Sequence, residues 1–283
     1  MRGLAAAVRP RQWLKNVLLL AAPAAAGVIA DGHVLARSAV AVTAFCAASA
    51  AGYLINDVRD VAEDRVHPRK RQRPIASGCV GPRLAVAVAA VLVVVAAMLG
   101  AWLGWRFLAA LGGYVALTLA YSLCLRAIAI VDLAAVTGCH VVRASAGGLA
   151  VGVPLSRWFL IVTGFGALFV VAGRRLCEVG ERARGEVATR STLDEYSPEY
   201  LRQVVTLSAA VAITAYCLWA FEHHNDAGLA AASVVPLMLF LLRYALLLDQ
   251  RRGDTPEDLV LGDRALGAMA ACWVALFLGG VYL

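Results

Sequence analysis

The stretch Asn56-Asp57-Val58-Arg59-Asp60-Val61-Ala62-Glu63-Asp64 places four oxygen-bearing side chains at a spacing that could hold a metal ion. On a helix advancing about 100° per residue, Asn56, Asp57, Asp60 and Asp64 fall within one arc of about 100°. Three carboxylates on one arc repel one another unless a cation lies between them. Oxygen donors with no His or Cys among them suit Mg2+, or Mn2+, and a bound Mg2+ commonly completes its shell with water and substrate phosphate. A basic block follows, with Arg65, Arg69, Lys70, Arg71 and Arg73. Such a block beside a metal site suits an anionic, phosphorylated ligand. Two plainer readings stand beside these: a solvated loop of mixed charge, and arginines that only orient a neighbouring helix. The acids share a helical face while the bases come as a block, which favours the metal site. His67, before Pro68, reads as a turn residue rather than a ligand.

Three further groups stand out. Asp132 and Arg143 are eleven residues apart in one apolar stretch, so they lie about 20° apart on one helical face. Ionisable groups at membrane depth are costly and usually face a cavity or a partner. A polar cavity is favoured here over a purely structural ion pair, and Gly147-Gly148 permits close helix packing. Arg174-Arg175-Leu176-Cys177-Glu178 and Arg182 follow a later apolar run, with Arg175, Glu178 and Arg182 on one helical face; alone, that pattern equally describes an exposed salt-bridged helix end. Glu222-His223-His224-Asn225-Asp226 resembles a metal cluster in composition. Adjacent histidines on a regular helix point apart, so it reads as a hydrated loop.

The elements that must position these residues belong to a bilayer. Of 283 residues 61% are hydrophobic and 16% charged, against about 25% charged in an ordinary soluble domain, and the mean hydropathy is +0.74. Charge-free runs cover Ser38–Asn56, Leu84–Trp105, Phe107–Leu125, Gln203–Phe221 and Ala265–Leu283, with shorter or interrupted ones at Asn16–Ala30, Ala127–Gly152, Trp158–Gly173 and Ala227–Leu248. Each approaches the ~20 residues that a helix needs to cross a bilayer. Their continuous Ala- and Leu-rich character argues against the alternation of a β-barrel. The expected fold is all-α: a multispanning membrane protein of about nine transmembrane helices, forming one integral-membrane domain over residues 1–283. Nine spans place 22 of the 26 basic residues on one side, Arg37, Arg106 and Arg157 on the other, and Arg143 within a span. By the positive-inside rule the N-terminus and long loops face the cytoplasm and the C-terminus lies outside. The first apolar run shows no convincing small-residue cleavage site, so no signal peptide is expected. Seven cysteines scattered singly suggest packing residues rather than a disulfide framework or zinc site.

The motif Asn56-Asp57-x-x-Asp60-x-x-x-Asp64 at the end of the second span resembles the first aspartate motif of the UbiA-type intramembrane prenyltransferase superfamily. The surrounding segments are closer to one branch, the decaprenyl-phosphate phosphoribosyltransferases. They are Arg9-Pro10-Arg11-Gln12-Trp13-Leu14-Lys15-Asn16, Tyr53-Leu54-Ile55, and His67-Pro68-x-Lys70-Arg71-x-Arg73-Pro74-Ile75-Ala76. Further matches are Tyr121-Ser122-Leu123, Asp132, Arg143 with Ala146-Gly147-Gly148, Gly173-x-Arg175-x-x-Glu178, Tyr196 with Tyr200-Leu201-Arg202, and Glu257 through Arg264. The wider superfamily carries a second aspartate motif where this chain has Arg174-Arg175-Leu176-Cys177-Glu178. Arginines in place of carboxylates shift that position from holding a second cation towards binding an anion directly. Within the branch a Lys and a Tyr are expected near positions 174 and 176, where Arg174 and Leu176 stand.

The resemblance implies a UbiA-like bundle that transfers 5-phosphoribosyl from phosphoribosyl pyrophosphate to a polyprenyl (decaprenyl) phosphate, releasing pyrophosphate, on the way to cell-wall arabinan. Asp57, Asp60 and Asp64 are then the catalytic carboxylates, holding Mg2+ (or Mn2+) together with Asn56. Arg65, Lys70, Arg71, Arg73, Arg126 and Arg175 become candidates for the donor's phosphates, and Lys15 and Asn16 for the acceptor's phosphate. Asp132, Arg143 and Glu178 complete the expected substrate site. The implied partners are the two substrates and the plasma membrane, without nucleic acid, and a homo-oligomer is left open. Two alternatives remain: an aromatic or quinone prenyltransferase with a prenyl diphosphate donor, and a lipid-phosphate transporter.

Overall fold

The computed structural model describes residues 2–67, 70–183, 191–222, 227–250 and 262–283, and among them there is no β-strand. Helices α1 (Arg2–Ala7), α2 (Ala21–Ala25), α3 (Gly32–Arg59), α4 (Val61–Val66), α5 (Pro82–Leu103), α6 (Trp105–Leu123) and α7 (Val131–Val151) are followed by α8 (Arg157–Ala183), α9 (Pro198–Glu222), α10 (Ala227–Asp249) and α11 (Arg264–Tyr282). Eight of these, α3 and α5 to α11, are long and apolar enough to cross a membrane among the described residues. Their outward faces are apolar as well: on α5, Val91, Val94, Met98 and Trp102 are all exposed. A water-facing helix would carry charges there; a lipid-facing one gains from hydrocarbon. The His223–Asp226 cluster and the Glu257–Leu261 part of the last resembling segment lie outside the described residues.

The expected first span is not a single long helix. Residues Pro10–Leu20 form a 3₁₀ segment, and α2 follows for one short turn. Pro23, within α2, has no N–H to offer the carbonyl of Leu19, four residues earlier, so one helical hydrogen bond is missing there. Gly147 of α7 uses the space beside that carbonyl, where a Cβ would overlap the Leu19 oxygen. Elsewhere helices outrun the charge-free stretches. Thus α3 continues to Arg59 and α8 to Ala183, so Arg174, Arg175 and Glu178 sit on a helix and not in a loop. Asp31 caps α3, accepting from the N–H groups of His33 and Val34 at 2.7 and 3.1 Å, and these two bonds hold its carboxyl below the usual range.

The chain divides into two compact units, one of Met1–Pro23, Val28–Ser122 and Val142–Pro154, the other of Ala24–Gly27, Leu123–Val141 and Leu155–Leu283. The first is packed around Ala7, Ala51, Leu54, Ile75, Val80, Ala85 and Ala89, small residues that let α3 and α5 approach closely. Arg37, one of the few basic residues assigned to the far side, donates to the carbonyls of Leu103 and Ala150 at 2.8 and 2.7 Å. It thereby satisfies carbonyls that the ends of α5 and α7 would leave open. In the second unit, Phe169, Val205, Leu241, Tyr244, Leu248 and Leu266 form the main core of α8 to α11.

Candidate active site

The first unit assembles a charged cluster where α3 ends. Asp57, in the last turn of α3, and Asp64, on α4, are 3% and 2% exposed. One nitrogen of Arg73, Nη1, donates to both, at 3.2 Å to Asp57 Oδ1 and 2.7 Å to Asp64 Oδ2. Arg9 Nη2 reaches the same Asp57 Oδ1 at 2.5 Å while its guanidinium lies 5.1 Å above the Tyr53 ring. The second oxygen of Asp57, Oδ2, is buried and has no hydrogen-bond partner. A carboxylate oxygen so placed is costly unless a cation or donor reaches it. Two buried carboxylates sharing one positive atom, one of them with an open oxygen, form an oxygen-only donor set of the kind that Mg2+ takes.

The expected arc of four ligands is only partly realised. Asp60 interrupts the helix at φ −88° and ψ 9°, so the 100° step does not carry through to Asp64. Asp60 pairs instead with neighbouring Arg59 at 3.0 Å and is 27% exposed. Asn56 donates to Ser122 Oγ at 3.4 Å. Among the described residues no three His, Cys, Asp or Glu side chains converge on one point. Asp57 and Asp64 are therefore the pair brought together, and Asn56 and Asp60 flank it with other partners.

The basic candidates separate in the same way. Arg73 is at the carboxylates. Arg65 is exposed and donates to the Ala76 carbonyl at 3.2 Å. Lys70 and Arg71 lie on a short 3₁₀ turn, Lys70 half-buried and Arg71 exposed, with the Lys70 N–H bonded to His67 Nδ1 at 3.3 Å, as befits a turn histidine. Lys15 and Asn16 lie on the 3₁₀ segment Pro10–Leu20. Lys15 is half-buried, whereas Asn16 is 1% exposed and donates to Cys46 Sγ at 3.1 Å. Asn16 Oδ1 is a second buried oxygen without a partner. Arg143 is 5% exposed. It donates to the Tyr114 hydroxyl at 3.0 Å and lies 5.0 Å over that ring, and Ser49 Oγ is 3.1 Å from the same hydroxyl.

The second unit holds the other cluster. Asp132, at the start of α7, is fully buried and accepts from Arg175 of α8 on both oxygens, at 2.7 Å from Nε and 3.0 Å from Nη2. Arg175 Nη1 also donates to Glu178 at 3.0 Å, and Arg174 Nε reaches the other oxygen of Glu178 at 3.2 Å. Asp132 is thus part of an ion pair with a partner 43 residues away on α8. Ile130, just before α7, has φ +67°, a strained value for a β-branched residue, and its N–H donates to the Tyr196 hydroxyl at 2.7 Å. Burial pushes the Tyr196 phenol above its ordinary pKa, with the Asp132 charge adding to this. Arg126 is exposed on a short turn, its carbonyl accepting from Thr192 Oγ1 at 3.3 Å.

Tyr114, Tyr196 and Arg9 are among the residues of these clusters that the sequence motifs did not single out as site residues. Tyr114 carries no local signal, since a tyrosine in an apolar run reads as packing. Tyr196 was visible only within the resembling segment. Arg9 lies 48 residues from Asp57, and its backbone at φ +52°, unusual for arginine, is a signal that only coordinates reveal.

A model of the UbiA prenyltransferase family matches residues 17–280. The chain is 45% identical over 279 residues to the decaprenyl-phosphate phosphoribosyltransferase of Mycobacterium tuberculosis H37Rv, covering 96% of this chain and 92% of that one. It is 40% identical over 294 residues to the protein of the same name from Mycolicibacterium smegmatis, covering 99% and 92%. Among solved structures, a UbiA homolog from Archaeoglobus fulgidus bound to GPP and Mg2+ superposes with a TM-score of 0.76, covering 99% of both chains at 16% identity. At that identity the likeness shows the fold.

Proposed function

The chain belongs to the UbiA prenyltransferase family, and from that premise we propose that it transfers 5-phosphoribosyl from phosphoribosyl pyrophosphate to decaprenyl phosphate. The observation that carries this reading is the 45% identity across 96% of the chain to a relative named for that transfer. In the reaction the bond between C1 of the donor ribose and its pyrophosphate breaks. A bond from an acceptor phosphate oxygen to C1 forms, and pyrophosphate leaves. The developing positive charge at C1 resembles that of other glycosyl transfers.

Asp57 and Asp64 would hold Mg2+, with Asp60 and Asn56 beside them, and a bound Mg2+ would neutralise the departing pyrophosphate. Buried oxygens of Asp57 and Asp64 supply the negative charge for this. Lys70, Arg71 and Arg65, on the segment that follows, are exposed or half-buried and can reach donor phosphates. Lys15 and Asn16 are assigned to the acceptor's phosphate, Asn16 through its Nδ2 amide group, which here donates to Cys46 Sγ. The acceptor oxygen is already ionised at neutral pH, so no general base is required. Arg175 is held by Asp132 and Glu178 and serves the site by positioning α7 against α8 rather than by free charge. Arg174 and Arg175 stand where a prenyl diphosphate enzyme would keep a second set of carboxylates, which disfavours a prenyl diphosphate held through a second cation.

The side of the membrane follows from the 22 of 26 basic residues that share one face: the N-terminus and the carboxylate cluster are cytoplasmic, where a soluble sugar phosphate is available. A product of this kind suits a plasma-membrane pathway that supplies arabinose to the cell wall. Membranes containing the protein, given labelled phosphoribosyl pyrophosphate and decaprenyl phosphate, should form a charged phosphoribosyl lipid that EDTA suppresses. Formation of that lipid unaffected by EDTA would remove the metal from the account.

A further inference from the structure

Arg9 and Arg73 occupy the place of a cation. Both donate to Asp57 Oδ1, and the Nη1 atom of Arg73 also bridges to Asp64. Two guanidiniums balance two buried carboxylates, so the cluster is neutral as it stands. Yet the arrangement is not closed. Asp57 Oδ2 is buried without a partner, and the two arginine side chains are 30% and 31% exposed, so each has a route outward. Both also have somewhere to go. The donor of the proposed reaction carries a pyrophosphate and a 5-phosphate, and guanidinium binds phosphate oxygens in the same two-pronged manner as carboxylate.

Resting on the reading of Asp57 and Asp64 as metal carboxylates, we propose that Arg9 and Arg73 are exchangeable counter-cations, displaced by the divalent metal and passed to the donor's phosphates. The linkage has a definite sign. Metal binding alone must break the arginine pairs, and the freed guanidiniums sit beside a divalent cation, so the metal alone binds weakly. Donor binding alone leaves the arginines divided between carboxylate and phosphate. When both are present, metal takes the carboxylates and arginine takes the phosphates, so each raises the affinity for the other. The site therefore loads metal and donor together and resists filling by free metal. Arg9 lies at the start of the segment carrying Lys15 and Asn16, so the same exchange releases that segment's tie to Asp57 when the donor arrives.

The test follows Mn2+ binding by electron paramagnetic resonance on the full-length protein in lipid nanodiscs, first without and then with phosphoribosyl pyrophosphate. Wild type should bind Mn2+ weakly alone and at least roughly tenfold more tightly with donor. Arg73→Gln and Arg9→Gln should each bind Mn2+ alone roughly tenfold more tightly than wild type, because a competing positive charge is gone. Arg73→Gln should in turn bind the donor roughly tenfold more weakly. Arg9→Gln leaves Arg73 bridging the carboxylates and carries the same test if the Arg73 variant fails to fold. Mn2+ affinity that is unchanged or lower in the arginine variants overturns the exchange while leaving the metal site standing. Mn2+ binding with donor that survives both Asp57→Asn and Asp64→Asn overturns the metal reading itself, and the exchange with it.

Discussion

Asp57 and Asp132 are both buried aspartates held by arginine at a helix end, yet they are held in opposite ways. Asp57 receives two arginines on one oxygen and leaves the other oxygen open. Asp132 receives one arginine on both oxygens. The arginines of Asp57 are about a third exposed, whereas the side chain of Arg175 is 3% exposed. Fork-to-fork pairing satisfies both partners and fixes their geometry. Converging arginines on one oxygen leave capacity unused. The first arrangement can exchange its cations; the second is a brace. An ion pair at a membrane active site is therefore not evidence of a binding role until its unused valences are counted.

The comparison sets an order of effects. The largest belongs to the open site: Asp57→Asn and Asp64→Asn should each lower phosphoribosyl transfer by about 10³-fold, with the protein still folded in the membrane, as judged by its elution from a sizing column in detergent. Equal activity would remove these carboxylates from the chemistry. Next comes the brace. Arg175→Ala leaves Asp132 buried without its charge partner and should destabilise the fold by about 3–5 kcal/mol, seen as a lower thermal midpoint. The double change Asp132→Asn with Arg175→Gln should be milder, because neither charge is then stranded. A variant of Arg175 that keeps its stability and loses only donor affinity would break the distinction between brace and site.

A smaller effect is expected at Tyr196. Tyr196→Phe removes the acceptor for the N–H of Ile130 and should cost about 0.5–1.5 kcal/mol, the net worth of one hydrogen bond from an exposed residue. The smallest belongs to a half-buried pair in the second unit. Asp263 accepts from Arg243 at 2.7 Å and from the N–H of Leu266 at 2.8 Å, capping α11. The Arg243 bond, with the Leu266 bond behind it, holds this carboxyl below its ordinary value of 3.8. A carboxyl whose folded pKa is lowered contributes stability that is fully present above the unfolded value and is lost as pH falls through the folded one. Asp263→Asn should therefore lower stability modestly at neutral pH, and the difference from wild type should shrink as pH falls below about 4.

Much of the bilayer architecture was legible because apolar runs of about 20 residues have few other uses. Each of the eight long helices overlaps an apolar stretch read from the sequence, although α3, α8 and α9 continue past theirs and α7 and α10 carry charges within theirs. The ninth expected span is instead the 3₁₀ segment Pro10–Leu20 followed by the short helix α2, which contains Pro23. At the site, Asp57 and Asp64 could be named from sequence, but a shared helical face does not explain their meeting, because the helix is interrupted at Asp60 between them. Asp60 was misplaced because the helix bends at that residue, and azimuth assumes a straight axis. The partners of these acids were not readable at all. Arg9 and Arg175 reach their aspartates across 48 and 43 residues, and pairing at that distance is a property of helix packing. Asp132 and Arg143 shared a helical face, yet each found its partner on another helix.

The central claim is that a metal held by Asp57 and Asp64 serves transfer between two phosphorylated substrates, and one measurement addresses it most directly. Purified protein in nanodiscs receives labelled phosphoribosyl pyrophosphate with decaprenyl phosphate, and in parallel a labelled prenyl diphosphate with an aromatic acceptor, with Mg2+ or EDTA. The account predicts an EDTA-sensitive, charged phosphoribosyl lipid in the first reaction, absent in Asp57→Asn, and no product in the second. Turnover of the prenyl diphosphate with no phosphoribosyl lipid would contradict it.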